Sequence, residues 1–165
     1  MSEHGIEAGM VESAVYRLLA ESTQTVLETM FFAMPDKVSA DPERPSGALI
    51  AASLTFHGTP PGWFGLLLSE GLAKTLAGNF IGCDDADALS PAEVAGVIAE
   101  LSNMLCGAAL SDLQSQTNFE LSTPEPRQIG TEAPAPDFTA GSPFICRFEF
   151  SEGTLVLFLT FEEAA

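Results

Sequence analysis

With 23 acidic side chains against 6 Lys and Arg in 165 residues, the formal charge of −17 makes nucleic acid and anionic membrane surfaces poor partners, since both need cations to neutralise phosphate. An apolar content of 46% fits a globular chain large enough for a real core and excludes wholesale disorder. No stretch reaches the ~18 uninterrupted apolar residues of a membrane span, and Met1–Glu7 has neither the basic nor the apolar region of a secretory signal.

Residues 1–9 are polar and read as a flexible N-terminus, with 10–165 as a single domain. Val11, Ala14, Val15, Leu18, Leu19, Ser22, Val26 and Met30 recur at helical spacing and predict an amphipathic helix over about 10–33. Pro35, Pro42 and Pro45 end it and mark a loop. A strand follows at Ala48–Phe56, with Ala48, Ile50, Ala52, Leu54 and Phe56 on one face and Ser53, Thr55 and then His57 on the other. After the turn Pro60-Pro61-Gly62, the run Trp63–Leu68 is continuously apolar, as a strand buried on both faces would be.

A shorter helix is expected at about 70–81, then an acidic loop over Cys83–Ala88. Ser90-Pro91-Ala92-Glu93 is a strong helix start: a capping serine, a proline at the first helical position and a glutamate placed to complete a capping box. That helix should run to about 115, followed by a short strand at Asn118–Ser122. Residues 123–143 read as a long loop with one short strand near Arg127–Ile129, and Phe144–Phe150 with Thr154–Phe161 form a hairpin around Ser151-Glu152-Gly153. The fold class is α+β, long helices on an antiparallel-rich sheet, and the second half repeats the first as a helix followed by a strand pair. Cys83, Cys106 and Cys146 are odd in number, lack zinc spacing and read as small core hydrophobes in a reducing cytoplasm.

The third helix carries the residues of interest. Wound at 3.6 residues per turn, Val94, Val97, Ile98, Leu101, Leu105 and Ala108 face the sheet. Gly96, Ala99, Glu100, Asn103, Gly107 and Leu110 fall on the opposite side. Solvated helix faces are usually filled with spaced Lys and Glu pairs. This strip instead has two polar heads among small residues and a leucine, and glycine inside a helix costs about 0.5–1 kcal/mol relative to alanine. It reads as a docking face with a carboxylate and a carboxamide at its centre. By periodicity alone, Glu100 and Asn103 also fit an ordinary solvated pair.

The spacing Glu100-x2-Asn103-x22-Pro126 resembles the signature of the CheC/CheX/FliY chemotaxis phosphatases, closest to the single-site CheX branch. Leu27-Glu28-Thr29-Met30, Leu66–Ser69 and Ala99–Gly107 agree with it, and the resemblance covers about residues 10–162. It implies a CheC-like fold, a homodimer and an aspartyl-phosphate phosphatase acting on a phosphorylated CheY-like receiver domain. On this resemblance Asn103 would orient the attacking water, Glu100 would pair with the receiver's lysine, and Pro126 would be structural. No cofactor belongs to this chain; Mg²⁺ would come with the receiver. The chemistry agrees, because phosphoryl transfer needs mainly positioning and charge stabilisation.

Two positions depart from the family pattern. Gly96 stands where Asp or Ser is usual, so a polar helper is either lost or replaced by backbone access. In the first helix, Glu28 is followed by Phe31 where two-site relatives have Asn, which leaves that site without a carboxamide and makes Phe31 a core candidate. A module that binds a receiver or another partner without hydrolysis is the alternative reading. His57 reads as solvated and His4 as part of the tail. Asp84, Asp85 and Asp87 meet no metal-spacing rule and read as a solvated loop. The homodimer is expected through strand edges, Thr154–Phe161 in particular, where Val156 and Phe158 add apolar side chains to the second face.

Overall fold

A computed structural model describes residues 3–113 and 118–162, with side chains from residue 13 onward. In chain order its elements are helix α1 (Glu3–Phe31), strands β1 (Lys37–Ser39), β2 (Leu49–His57) and β3 (Gly62–Ser69), helix α2 (Glu70–Ile81), a 3₁₀ turn at Ala86–Ala88, helix α3 (Pro91–Leu113), and strands β4 (Glu120–Leu121), β5 (Glu125–Ile129), β6 (Phe144–Phe150) and β7 (Gly153–Phe161). The helix expected at about 70–81 has those bounds. α1 starts earlier than expected, at Glu3, so most of the presumed flexible tail is helical, while Met1 and Ser2 lie outside the described residues. The end of the third helix expected at about 115 falls on residues 114–117, which also lie outside them.

All strands pair antiparallel in one seven-stranded sheet of order β1-β6-β7-β3-β2-β4, with β5 also paired to β2. The repeat suggested by the sequence is visible here. Each half contributes a helix, a short strand and a hairpin: α1, β1 and β2–β3 in the first, α3, β5 and β6–β7 in the second. The two hairpins join through β3 and β7, from Gly62 opposite Phe161 to Leu68 opposite Leu155. Each half then lends its short strand to the other's hairpin: β1 pairs with β6, and β5 with β2.

The sheet is buried on both faces. On the first, Ile50, Leu54, Phe64, Leu66, Leu155 and Leu157 meet the three helices in the main core. On the second, Leu49, Ala51, Leu67, Ile129, Val156 and Phe158 form a smaller cluster, with Trp63, Ala133, Ala135, Phe138 and Ile145 packed against it. Two-sided burial explains the unbroken apolar run in β3. The stretch read as a long loop therefore does structural duty as the lid of the second cluster. Arg44 ties that lid down, its guanidinium donating to the carbonyls of Ala133 at 2.6 Å and Gly130 at 3.3 Å.

Two expectations are corrected. The prolines after α1 enclose a three-residue strand, β1, which sequence pattern alone does not mark. The strand Thr154–Phe161 has no free edge for a dimer: β7 lies between β6 and β3, bonded on both sides, and Val156 and Phe158 are covered by the chain itself. The outermost strands are β1 at one end and the short β4 and β5 at the other, the kind of abbreviated edges that resist strand addition.

Gly62 is required where β3 meets β7, because a Cβ there would overlap the Thr160 carbonyl oxygen and crowd the Phe56 ring. Gly62→Ala should lower unfolding free energy by roughly 2 kcal/mol or more, the upper range for overpacking. Gly130→Ala, where a Cβ would meet nothing within 4 Å, should stay within about 0.5 kcal/mol. Urea midpoints of the two variants check the contrast.

Candidate functional site

α3 is started by a complete capping box. The Glu93 backbone N–H donates to Ser90 Oγ at 3.1 Å, and Glu93 Oε1 accepts from the Ser90 N–H at 3.1 Å. With Pro91 as the first helical residue, this sets the phase of every later side chain on the helix.

Beyond the cap, α3 is enclosed on most sides. Val94, Val97, Ile98, Leu101 and Leu105 face the core as expected, whereas Ala108, expected with them, is only half-buried and lies outside it. Ser102, Cys106 and Ala109 are buried too, since α3 also packs against α1 and α2. Ser102 satisfies its hydroxyl by donating to the Ile98 carbonyl at 2.8 Å. By length and composition α3 is the one described helix that could cross a membrane, yet half of that stretch is buried inside the fold, as in a core helix.

Besides its two ends, where Pro91–Glu93 and Ser111 with Asp112 are exposed, α3 leaves a strip uncovered along its middle. Gly96, Glu100 and Asn103 are exposed, and Ala99 and Gly107 are half-buried. Leu110 corrects the sequence reading: it is 1% exposed and belongs to the core. The outer strip therefore ends before Leu110. Among the described residues no ion pair holds Glu100, and Asn103 has no hydrogen-bond partner. A Cβ at Gly96 or Gly107 would meet nothing within 4 Å, so neither glycine is demanded by packing within the chain.

This arrangement presents a carboxylate and a carboxamide three residues apart, side by side on one helix face. A carboxamide can both donate and accept hydrogen bonds, and a carboxylate can pair with a cation. The thiol on the same helix, Cys106, is buried, and burial pushes its pKa up to about 12. Cys146 is raised to about 12 for the same reason.

The corresponding position in the first half differs. Glu28 is exposed, but Phe31 is fully buried and stacks on Phe80 at 5.0 Å between ring centroids, which makes it the core residue expected. Pro126 lies in β5 opposite Ala52, on an outer strand where proline is tolerated. Asp84, Asp85 and Asp87 are exposed, and Asp85 caps the short 3₁₀ turn by accepting from the Asp87 N–H at 3.1 Å. His57 is exposed at the end of β2, and His4 lies in the first turn of α1. Among the described residues no three carboxylate, thiol or imidazole groups gather as a metal-binding set.

The family model described as chemotaxis phosphatase CheX matches residues 50–148, more than half of the chain and a span that contains Glu100, Asn103 and Pro126. The chain belongs to the CheX family.

No curated protein sequence matches it. Its fold is shared with solved CheX structures. The chemotaxis protein CheX from Desulfovibrio desulfuricans superposes with a TM-score of 0.72 at 16% identity, covering 90% of this chain and 99% of that one. CheX from Vibrio vulnificus gives 0.68 at 23% identity, covering 88% and 95%. CheX from Borrelia burgdorferi, solved in a complex with CheY, BeF3 and Mg²⁺, gives 0.64 at 13% identity, covering 89% and 97%. This CheX-family chain therefore has the mixed helix and antiparallel-sheet fold that the sequence pattern predicts.

The buried thiols set a chemical expectation. Cys83 is half-exposed, while Cys106 and Cys146 are buried. Near pH 8 Ellman's reagent should titrate Cys83 alone in the native protein, and all three cysteines only after unfolding. The unfolded chain releases thiol protons from about pH 8.5 upward, whereas the two buried thiols keep theirs to about 12. Their contribution to stability should accordingly fall as pH rises through that window, as denaturation midpoints would record.

Proposed function

We propose that this CheX-family protein hydrolyses the aspartyl phosphate of a CheY-like receiver domain, with the α3 strip inserted at the receiver's phosphorylation site. The observation that carries this reading is the pairing of Glu100 and Asn103 on the outer face of α3, both exposed and, among the described residues, without a partner, with small residues on either side. The open space at Gly96 and Gly107 supports it, because it lets another surface come close to the helix backbone. The Borrelia burgdorferi relative, solved with CheY, BeF3 and Mg²⁺, supports the choice of partner class.

In the proposed step, water attacks phosphorus in line. The bond from phosphorus to the receiver's carboxylate oxygen breaks, and the products are inorganic phosphate and a free aspartate. Asn103 accepts a hydrogen bond from that water and holds it on the attack line. Glu100 pairs with the receiver's lysine and fixes the register of the two proteins. The receiver supplies Mg²⁺, which balances charge on the phosphoryl oxygens. The whole contribution of this chain is position, the main requirement of phosphoryl transfer. Docking without hydrolysis is the competing reading, and Gly96 in place of Asp or Ser is the residue that favours it.

Asn103→Ala should lower the stimulated loss of acyl phosphate by roughly a hundredfold or more, the usual cost of removing a positioned transition-state partner. It should leave folding and receiver binding nearly unchanged, since the side chain is exposed. Glu100→Ala should instead weaken binding, most at low salt where a charge pair is least screened. Full activity in Asn103→Ala contradicts the proposed role. Absence of turnover in the unmutated protein, with receiver binding intact, favours the docking module.

Gly96→Ser separates two accounts of the missing helper. Nothing in the fold obstructs the side chain, so a gain of about 0.5 kcal/mol in stability is expected in either case. Activity rises if the position is a simple loss and falls if the bare backbone is needed for close approach.

A further inference from the structure

A cleft of about 690 Å³ opens on the face of the sheet opposite the helices, away from the α3 strip. Strand register builds its floor. Ser53 stands opposite Gly65 and Thr55 opposite Trp63, and these side chains rise beside the second apolar cluster. Glu125 of β5 is opposite Ser53, so its carboxylate rises from the same face. The Ser122 hydroxyl oxygen accepts from the Thr55 N–H at 2.9 Å and fixes the rim where β4 gives way to β5.

The wall is aromatic. Phe138 lies over Gly65, where an added Cβ would come within 3.0 Å of its ring. Its centroid is 5.6 Å from Trp63 and 5.4 Å from Phe158. Asp137, beside it, has its carboxylate held by the Thr139 N–H at 2.9 Å and by the Thr139 hydroxyl, which keep it below the usual carboxylate range. The cleft therefore combines two aromatic side chains, two carboxylates and several hydroxyls, and among the described residues no basic side chain lines it. Arg127 lines a neighbouring hollow of about 180 Å³ and makes no ion pair with Glu125. Arg44 is occupied by lid carbonyls.

We propose that this cleft binds a small organic cation, a substituted ammonium or guanidinium group seated on the Trp63 and Phe138 rings and flanked by Glu125 and Asp137. Aromatic faces attract cations through the ring quadrupole, tryptophan most strongly. The flanking carboxylates attract cations and repel anions. The volume lies in the range of small-molecule sites, roughly 300–1,000 Å³. A formal charge of −17 concentrates cations around the whole molecule.

Trp63 is the only tryptophan, so its fluorescence reports on the cleft directly. The probes are choline for the ammonium class, agmatine for the guanidinium class and 3,3-dimethyl-1-butanol as choline's uncharged isostere. Each is titrated by fluorescence and by calorimetry. Saturable binding of choline or agmatine is expected, with the isostere at least about tenfold weaker than choline. Glu125→Gln combined with Asp137→Asn should weaken cation binding by a similar factor, with folding verified by circular dichroism, while Asn103→Ala should leave it unchanged. Trp63→Phe, followed by calorimetry, should weaken binding severalfold because phenylalanine is the poorer cation partner. Equal affinity for choline and its isostere, or cation binding indifferent to both carboxylates, overturns the proposal. So does the absence of saturable binding of either cation up to roughly 10 mM, well beyond ordinary small-ligand affinities.

Discussion

The pairing of β3 with β7 holds the molecule together. It joins two similar halves across seven residue pairs, from Gly62 with Phe161 to Leu68 with Leu155. It places the two long helices α1 and α3 against one another on the same side of the sheet. Once α3 is lodged there, its inner side is committed to the core, and Glu100 and Asn103 stand on the outer side that is left to solvent.

The duplicated plan lets the two halves be compared at the proposed site. In α3 the residue three after the glutamate is Asn103, exposed and unheld; in α1 it is Phe31, fully buried against Phe80. A buried aromatic contributes to the core what a carboxamide there could not. The first half gains packing where the second keeps an exposed carboxamide.

Much of this was legible in the sequence. The helix expected at about 70–81 is α2, which the structure ends on Gly82 in the left-handed region, and Ser90 with Glu93 locates the start of α3. Glu100 and Asn103 could be singled out because polar residues amid glycine and alanine break the normal habit of a solvated face. Leu110 could not be placed, because helical periodicity describes the helix's own faces and not what the rest of the fold packs against them. β1 escaped notice because three residues carry no alternation. The lid over the second cluster was equally silent. Its prolines look like a loop, and only the isolated Phe138 hints that this loop covers something. The same blindness led to an edge being expected at β7, which is in truth central: an apolar strand reads alike whether its neighbours come from its own chain or another.

The central claim is that the α3 strip is the surface that meets the receiver. The most direct measurement is an NMR titration of the isotope-labelled protein with a CheY-like receiver held in its activated state by BeF3 and Mg²⁺. The account predicts that the largest shifts fall on the backbone amides from Gly96 to Gly107 and on the Asn103 side-chain amide, with the Trp63 indole unmoved. Shifts that bypass α3 and gather elsewhere, at β1 or around the Phe138 lid, would contradict it.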